Sequence, residues 1–511
     1  MKIMTCNRGV VRTLLASVAL LLVLSTALAQ SSIADLQAKA RANPNDATAW
    51  VDLGNAQYKG GSYDDAKQSF LEAISIDYSN GDAHYGLGLA EFARGDYQAA
   101  LFEFSEVTRL YPGRFDGHFN RAVTLAKLRR NKDAADAFQA ALKVSDKVAT
   151  NKDKINAYTG LAGQLDLTGD YAKAADAYAE AIKLDPGNSD LVLRRGQALE
   201  NAGKGLEALP ELTKLEASSS DYRVSALIAD IYVKQGQIDY AMYALNRALK
   251  KADAAGDNSA KANILVKLGT LQKSLGRDAD AAQSFQQAAQ ADPESWQALY
   301  NLGASYLEGG QTRSALGPLE QAVKLAPQSG EVNLALASAY DQLAQTDKAL
   351  SAAKIALGNL KDDKQLTQAR FIAGRSLYRQ GDYSSAANML DQVVQADSGN
   401  AQAQLWAGLA EYQQQQYASA IRYFERATQL APNGVEARVD LGAAYLAAKR
   451  FQDAQTVYEL LVKQNPKDSA SYYNLGWALY SQDDLGAAGD AWKASCQQGY
   501  QQACQAITKY L

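Results

Sequence analysis

The sequence predicts an all-α fold, a solenoid of antiparallel helix pairs stacked one on the next, and three observations predict it. Thirteen alanines, from Ala66 and Ala100 to Ala454 and Ala488, recur at gaps that are mostly 34 residues. Twelve residues before each stands a glycine or an alanine, from Gly54 and Gly88 through Ala122 and Ala162 to Gly442 and Gly476. Glycines and prolines punctuate the period at fixed places. A constant period in the thirties marks an array whose units bury their apolar faces only against their neighbours. The repeats fill the chain and leave no room for a separate catalytic domain.

Residues 1–29 stand outside the period. Lys2, Arg8 and Arg12 make a basic start, Leu14 to Leu24 an apolar core, and Ala27-Leu28-Ala29 a small-residue cleavage site, so a signal peptide is expected. Cys6 precedes the apolar core and cannot be a lipidation cysteine of the bacterial lipoprotein kind. The apolar stretch is short for a membrane anchor, and no stable membrane span is expected after cleavage. Residues 30–46 are read as an N-terminal capping helix, 47–498 as the repeat array and 499–511 as a C-terminal capping helix.

Ala47 to Asn80 illustrates one repeat. Trp50, Leu53, Gly54 and Gln57 fall on one helical face; Gly61 breaks the chain; Ala66, Phe70, Ala73 and Ile74 share a face of a second helix. Glycine costs a helix about 1 kcal/mol against alanine, so its recurrence inside first helices implies a packing need. The expected need is close approach of the two helix backbones at Gly54 and Ala66. Gly61, Gly95, Gly169, Gly203, Gly236, Gly276, Gly310 and Gly381 occupy the slot where a helix ends in a left-handed residue. Asp96, Asp170 and Asp382 follow such glycines and are expected to cap the second helices. Pro112, Pro186, Pro293, Pro327, Pro432 and Pro466 are expected to stop them.

On these residues the chain resembles the tetratricopeptide repeat (TPR) family, best at Leu299-x2-Leu302-Gly303-x2-Tyr306 followed by Ala315, Ala322 and Pro327. The resemblance covers about thirteen repeats. It implies a right-handed superhelix whose first helices line a concave groove. The TPR clamp for chaperone C-terminal tails is absent: Asn55 fits one slot, but Val51, Leu89, Phe119 and Val123 occupy others that should be polar or basic.

Extra residues after the third, sixth and ninth repeats, near 144–154, 251–260 and 359–366, group the repeats in threes. Either they lengthen neighbouring helices or they form three equivalent protrusions. Cys496 and Cys504 are eight residues apart, about 12 Å on one continuous helix and beyond disulfide reach. A chain reversal at Gly499 would bring them together. Their spacing resembles that of Sel1-like repeats; a disulfide is expected, with free buried thiols the alternative.

The groove stripe is read one and five positions beyond the packing face of each first helix. It holds Tyr85, Leu89 and Phe92, then Phe119 and Val123, then Tyr300 and Leu307. Further along it holds Phe371, Arg375, Tyr378 and Arg379, then Leu405 and Tyr412, then Tyr473, Trp477 and Tyr480. Rings in an open groove point to docking of an extended peptide or a partner helix; packing between adjacent first helices is the competing reading. Arg375 and Arg379 are the charged candidates for gripping an acidic segment.

The formal net charge is −4, and −7 without residues 1–29, which carry three basic and no acidic residues. No basic block exists, which excludes a nucleic-acid binder. Phosphate loops, HExxH and GxSxG are absent; His84 and His118, the two histidines, fall in the slot of Trp50 and are expected to pack between helices. No cofactor or metal is expected. The expected function is an exported, non-enzymatic, periplasmic or secreted scaffold for envelope or secreted proteins. The alternatives are a self-assembling structural solenoid and a carbohydrate-binding or enzyme-accessory array in polysaccharide export.

Overall fold

The computed structural model describes residues 33–145 and 149–511, so the expected signal peptide and part of the first extra segment lie outside the described residues. The chain divides into two compact units, one up to Lys251 and one from Ala252. Each is a succession of helix pairs. In the first, helix 33–42 lays Ile33, Leu36 and Ala40 against Ala49 and Leu53 of the next helix. The first repeat then pairs Ala47–Lys59 with Tyr63–Ile76, and the second pairs Gly81–Arg94 with Tyr97–Leu110. The second unit repeats the scheme, for example Trp296–Glu308 with Thr312–Leu325 in the eighth repeat. Among the described residues no helix is long and apolar enough to cross a membrane.

In several repeats the recurrent glycine makes room for a ring of the second helix, and at Gly303 a Cβ would also lie 3.3 Å from the Ala315 carbonyl, the close backbone approach expected. A Cβ at Gly54 would lie 2.7 Å from the ring of Phe70. The same holds for Gly88 with Phe104 at 2.8 Å, Gly269 with Phe285 at 2.7 Å, and Gly408 with Phe424 at 2.6 Å. The ring sits four residues after the periodic alanine and is fully buried in each of these repeats. Each such ring contributes about 1.5–3 kcal/mol by leaving water.

The turn within the repeat is left-handed in all thirteen repeats. Eight use the glycines named above. The other five use Arg129, Ala344, Gln415, Lys449 and Asp483, with φ between 55° and 62°. Asp96 accepts the Ala99 amide at 3.0 Å and Asp382 the Ser385 amide at 3.1 Å, as cap residues should. Asp170 makes no such bond; its carboxylate meets Lys173 at 3.4 Å instead. Each terminating proline lies two residues beyond a helix end, as at Leu110 and Leu184.

Among the described residues, the extra segments lengthen helices. The first helices Asn151–Thr168, Asn258–Ser274 and Asp363–Arg379 have 18, 17 and 17 residues, against 13 in Ala47–Lys59. Each therefore gains about one turn, and separate protrusions do not form among the described residues.

The slot of Trp50, His84 and His118 has a common task. Each side chain donates to the backbone carbonyl six residues earlier, in the turn entering the repeat: Trp50 to Pro44 at 3.3 Å, His84 to Tyr78 at 3.0 Å, His118 to Pro112 at 2.9 Å. Asn333, Gln404 and Arg438 do the same to Pro327, Ser398 and Pro432. A donor here satisfies a carbonyl that no helix can. At His84 the second ring nitrogen faces Glu103 at 2.6 Å, so both nitrogens meet acceptors. Burial opposes the charged form, yet Glu103 and the Tyr78 carbonyl hold this imidazole above its ordinary value.

Candidate protein interaction surface

The stripe predicted to line a groove separates into residues that line clefts and residues covered by their neighbours. In the second unit, three first helices frame a cleft of about 320 Å³: Trp296–Glu308, Gly330–Gln342 and Asp363–Arg379. Tyr300 and Leu307 line it with Leu334 and Ala335, while Glu308, Glu331 and Gln342 stand among its polar residues. Burial, then Glu331 and Glu308, push the Tyr300 phenol above its usual range. Phe371 lines a separate cleft of about 470 Å³ with Thr367, Gln368 and Val393.

In the first unit, Tyr85 and Phe119 line a cleft of about 470 Å³ with Arg114, Phe115, Asp116 and Asn120. Phe115 and Phe119 stack at 5.7 Å, and Phe119 meets Phe138 edge-on at the same distance. The Arg114 guanidinium lies 4.7 Å over the Tyr85 ring, and Asn120 donates to the Tyr85 hydroxyl at 3.1 Å. Burial first, then Asp116, pushes that phenol up to about 12.

Three other candidates lock the turn of their own repeat. Phe92 packs on Tyr97 at 5.2 Å, Tyr378 on Tyr383 at 5.3 Å, and Tyr412 on Tyr417 at 5.5 Å, each pair five residues apart across the left-handed turn. Tyr58 and Tyr63 repeat the arrangement at 5.5 Å, and Arg450 takes the partner's place over Tyr445 at 4.5 Å. Leu405 is buried in the core rather than presented to a groove.

Tyr473, Trp477 and Tyr480 are engaged by the C-terminal cap. Gly499 has φ of 89°, and helix Gln501–Tyr510 folds back beside Leu485–Gln497. Tyr473 meets Tyr500 at 5.0 Å, while Trp477 meets Trp492 at 5.3 Å and Tyr510 at 5.2 Å. Tyr480 meets Trp492 at 5.6 Å. The Cα atoms of Cys496 and Cys504 are 4.9 Å apart and their sulfurs are bonded, fastening the cap helix over this cluster.

Arg375 and Arg379 are not free to grip an acidic segment, contrary to expectation. Both meet Asp341 of the preceding first helix, at 3.4 and 2.7 Å, and Asp341 is buried. Arg375 also lies 5.3 Å over Phe371 and 5.1 Å over Trp406, with Arg379 5.7 Å over the same indole. Burial pulls the Arg375 guanidinium below its ordinary value, Asp341 opposing and Arg379 assisting. Sequence reasoning missed Asp341 and Trp406. It also missed Asp440, whose carboxyl is pushed up to about 6 by burial, then by Glu436.

Tetratricopeptide repeat models match residues 28–77, 51–114, 85–151, 165–223, 266–330 and 373–435, and a further one matches 411–477, together more than half of the chain. The chain is similar to human Protein O-mannosyl-transferase TMTC3, 24% identical over 194 residues, 36% of this chain and 20% of that protein. It is also similar to the Tetratricopeptide repeat and J domain-containing co-chaperone DNJ1 of Cryptococcus neoformans, 34% identical over 77 residues, 15% of each. It thus spans a fifth or less of the length of these two curated relatives. Among solved structures, Naa15/Naa10 bound to HypK-THB aligns with a TM-score of 0.40 at 14% identity, over 91% of this chain and 78% of that chain. From its repeat-by-repeat match, the chain belongs to the tetratricopeptide repeat family, an all-helical scaffold for protein–protein interaction.

Proposed function

We propose that the chain is an exported, non-enzymatic scaffold that binds a peptide or helix of envelope or secreted partner proteins along its first helices. The observation that carries this reading is the pair of clefts at Tyr300 and at Tyr85 and Phe119, where stripe rings line open space instead of being capped. Export rests on the basic, apolar and small-residue order of residues 1–29, and the Cys496–Cys504 disulfide fits an oxidising compartment. The test is cross-linking capture with residues 30–511 in an envelope extract from the source organism. It runs beside a variant carrying Tyr85→Ala, Phe119→Ala and Tyr300→Ala. A partner held by the native chain and lost by a folded variant supports the reading. Equal capture removes the clefts from it, and recovery of the chain alone favours self-assembly.

A further inference from the structure

The cleft lined by Tyr300 in the second unit is acidic in its lining. Glu308 and Glu331 line it, and no lysine or arginine does. Lys273 reaches Glu308 from outside the lining at 2.7 Å, whereas Glu331 is exposed and has no ion-pair partner among the described residues. The Tyr300 ring lines the same cleft, with Glu331 and Glu308 both close enough to act on its phenol. A ring face attracts an ammonium or guanidinium within about 6 Å, and adjacent carboxylates strengthen the attraction. An acidic segment would meet repulsion at the same place.

Gln342 supplies orientation. Its oxygen accepts the Thr312 hydroxyl at 2.6 Å, which holds the amide of this lining residue in one orientation and leaves its N–H groups for another acceptor. Leu307, Leu334 and Ala335 supply an apolar floor. The cleft in the first unit has the same character by itself: rings with Asp116 and Asp153, and an Arg114 already bridged to Asp82 and Asp116 at 2.7 and 2.8 Å.

We infer that the segment held in the second unit's cleft is basic: an extended peptide of a partner protein whose Lys or Arg lies over Tyr300 beside Glu308 and Glu331. This rests on the groove reading above and specifies its occupant. The net negative charge of the chain favours encounter with such a partner.

The test uses the full chain and three fluorescein-labelled peptides of equal length, alternating Lys-Ala, Gln-Ala and Glu-Ala, followed by anisotropy at physiological salt. Lys-Ala should bind tightest. Glu331→Gln and Tyr300→Leu should each weaken it roughly tenfold. Asp490→Asn, the same change in charge on the exposed face of Leu485–Gln497, should leave it unchanged. Melting curves confirm that each variant is folded. Lys-Ala binding indifferent to Glu331→Gln overturns the inference. So does tighter Gln-Ala or Glu-Ala binding that Tyr300→Leu abolishes, although the groove reading then stands. Binding of every peptide indifferent to Tyr300→Leu overturns both for this cleft.

Discussion

Tyr300 and Tyr473 hold the same slot, fifteen residues before Ala315 and Ala488, yet one lines a cleft and the other is covered by a cap. Around Tyr300, the next first helix brings Leu334, Ala335 and Ser338, with no ring among them. Around Tyr473, the following helix brings Tyr500 and Tyr510, with Trp492 from within the repeat. A stripe ring is therefore committed to core or to surface by residues about one repeat away, not by its own position. Binding capacity in this array is what neighbouring repeats fail to cover.

That contrast can be broken at several points, and the largest effect belongs to the cap. Trp492→Ala removes a fully buried indole from the cluster and should cost about 3–5 kcal/mol, read as early loss of the C-terminal repeat in a denaturation curve. The cleft at Tyr300 should not respond. Cys504→Ser should cost roughly 2.5 kcal/mol by freeing the loop it closes, and hydrogen exchange should accelerate over 500–511 alone. Uniform acceleration across the second unit would mean that cap and cleft are one cooperative element.

Between the two regions lies Asp440, whose carboxyl burial has pushed up to about 6. A raised carboxyl favours folding when protonated, so its penalty is absent below the unfolded value and grows as pH rises through about 6. Asp440→Asn should then stabilise the chain by about 1–2 kcal/mol at pH 7 and by nothing measurable near pH 4, allowing for residual solvent screening. A gain independent of pH would remove the charge from the explanation. The smallest effect compares two left-handed turns. Ala344→Gly should gain about 1 kcal/mol, while Asp483→Gly gains only a few tenths, because Asp tolerates this conformation better.

The helix pairs were legible because their signals recur: a small residue, an alanine twelve residues later, a glycine at most of the turns and, in about half of the repeats, a proline stop. The five turns without glycine were not, since Arg129 or Lys449 carries no local mark of positive φ. The turn-locking rings were legible in principle, their five-residue spacing being present at Tyr58 and Tyr63. Arg375 and Arg379 misled because their partner, Asp341, sits more than thirty residues upstream on another helix. No local pattern shows that a charge is already matched. The clefts share this difficulty, since they depend on which residues stand one repeat away.

The most direct test places a photo-reactive phenylalanine analogue at Tyr300 in one variant and at Tyr473 in another, then irradiates each in an envelope extract. The account predicts a partner adduct from position 300 and only intrachain adducts from position 473. Partner adducts from position 473, or from neither position while the wild-type chain captures a partner, would contradict it.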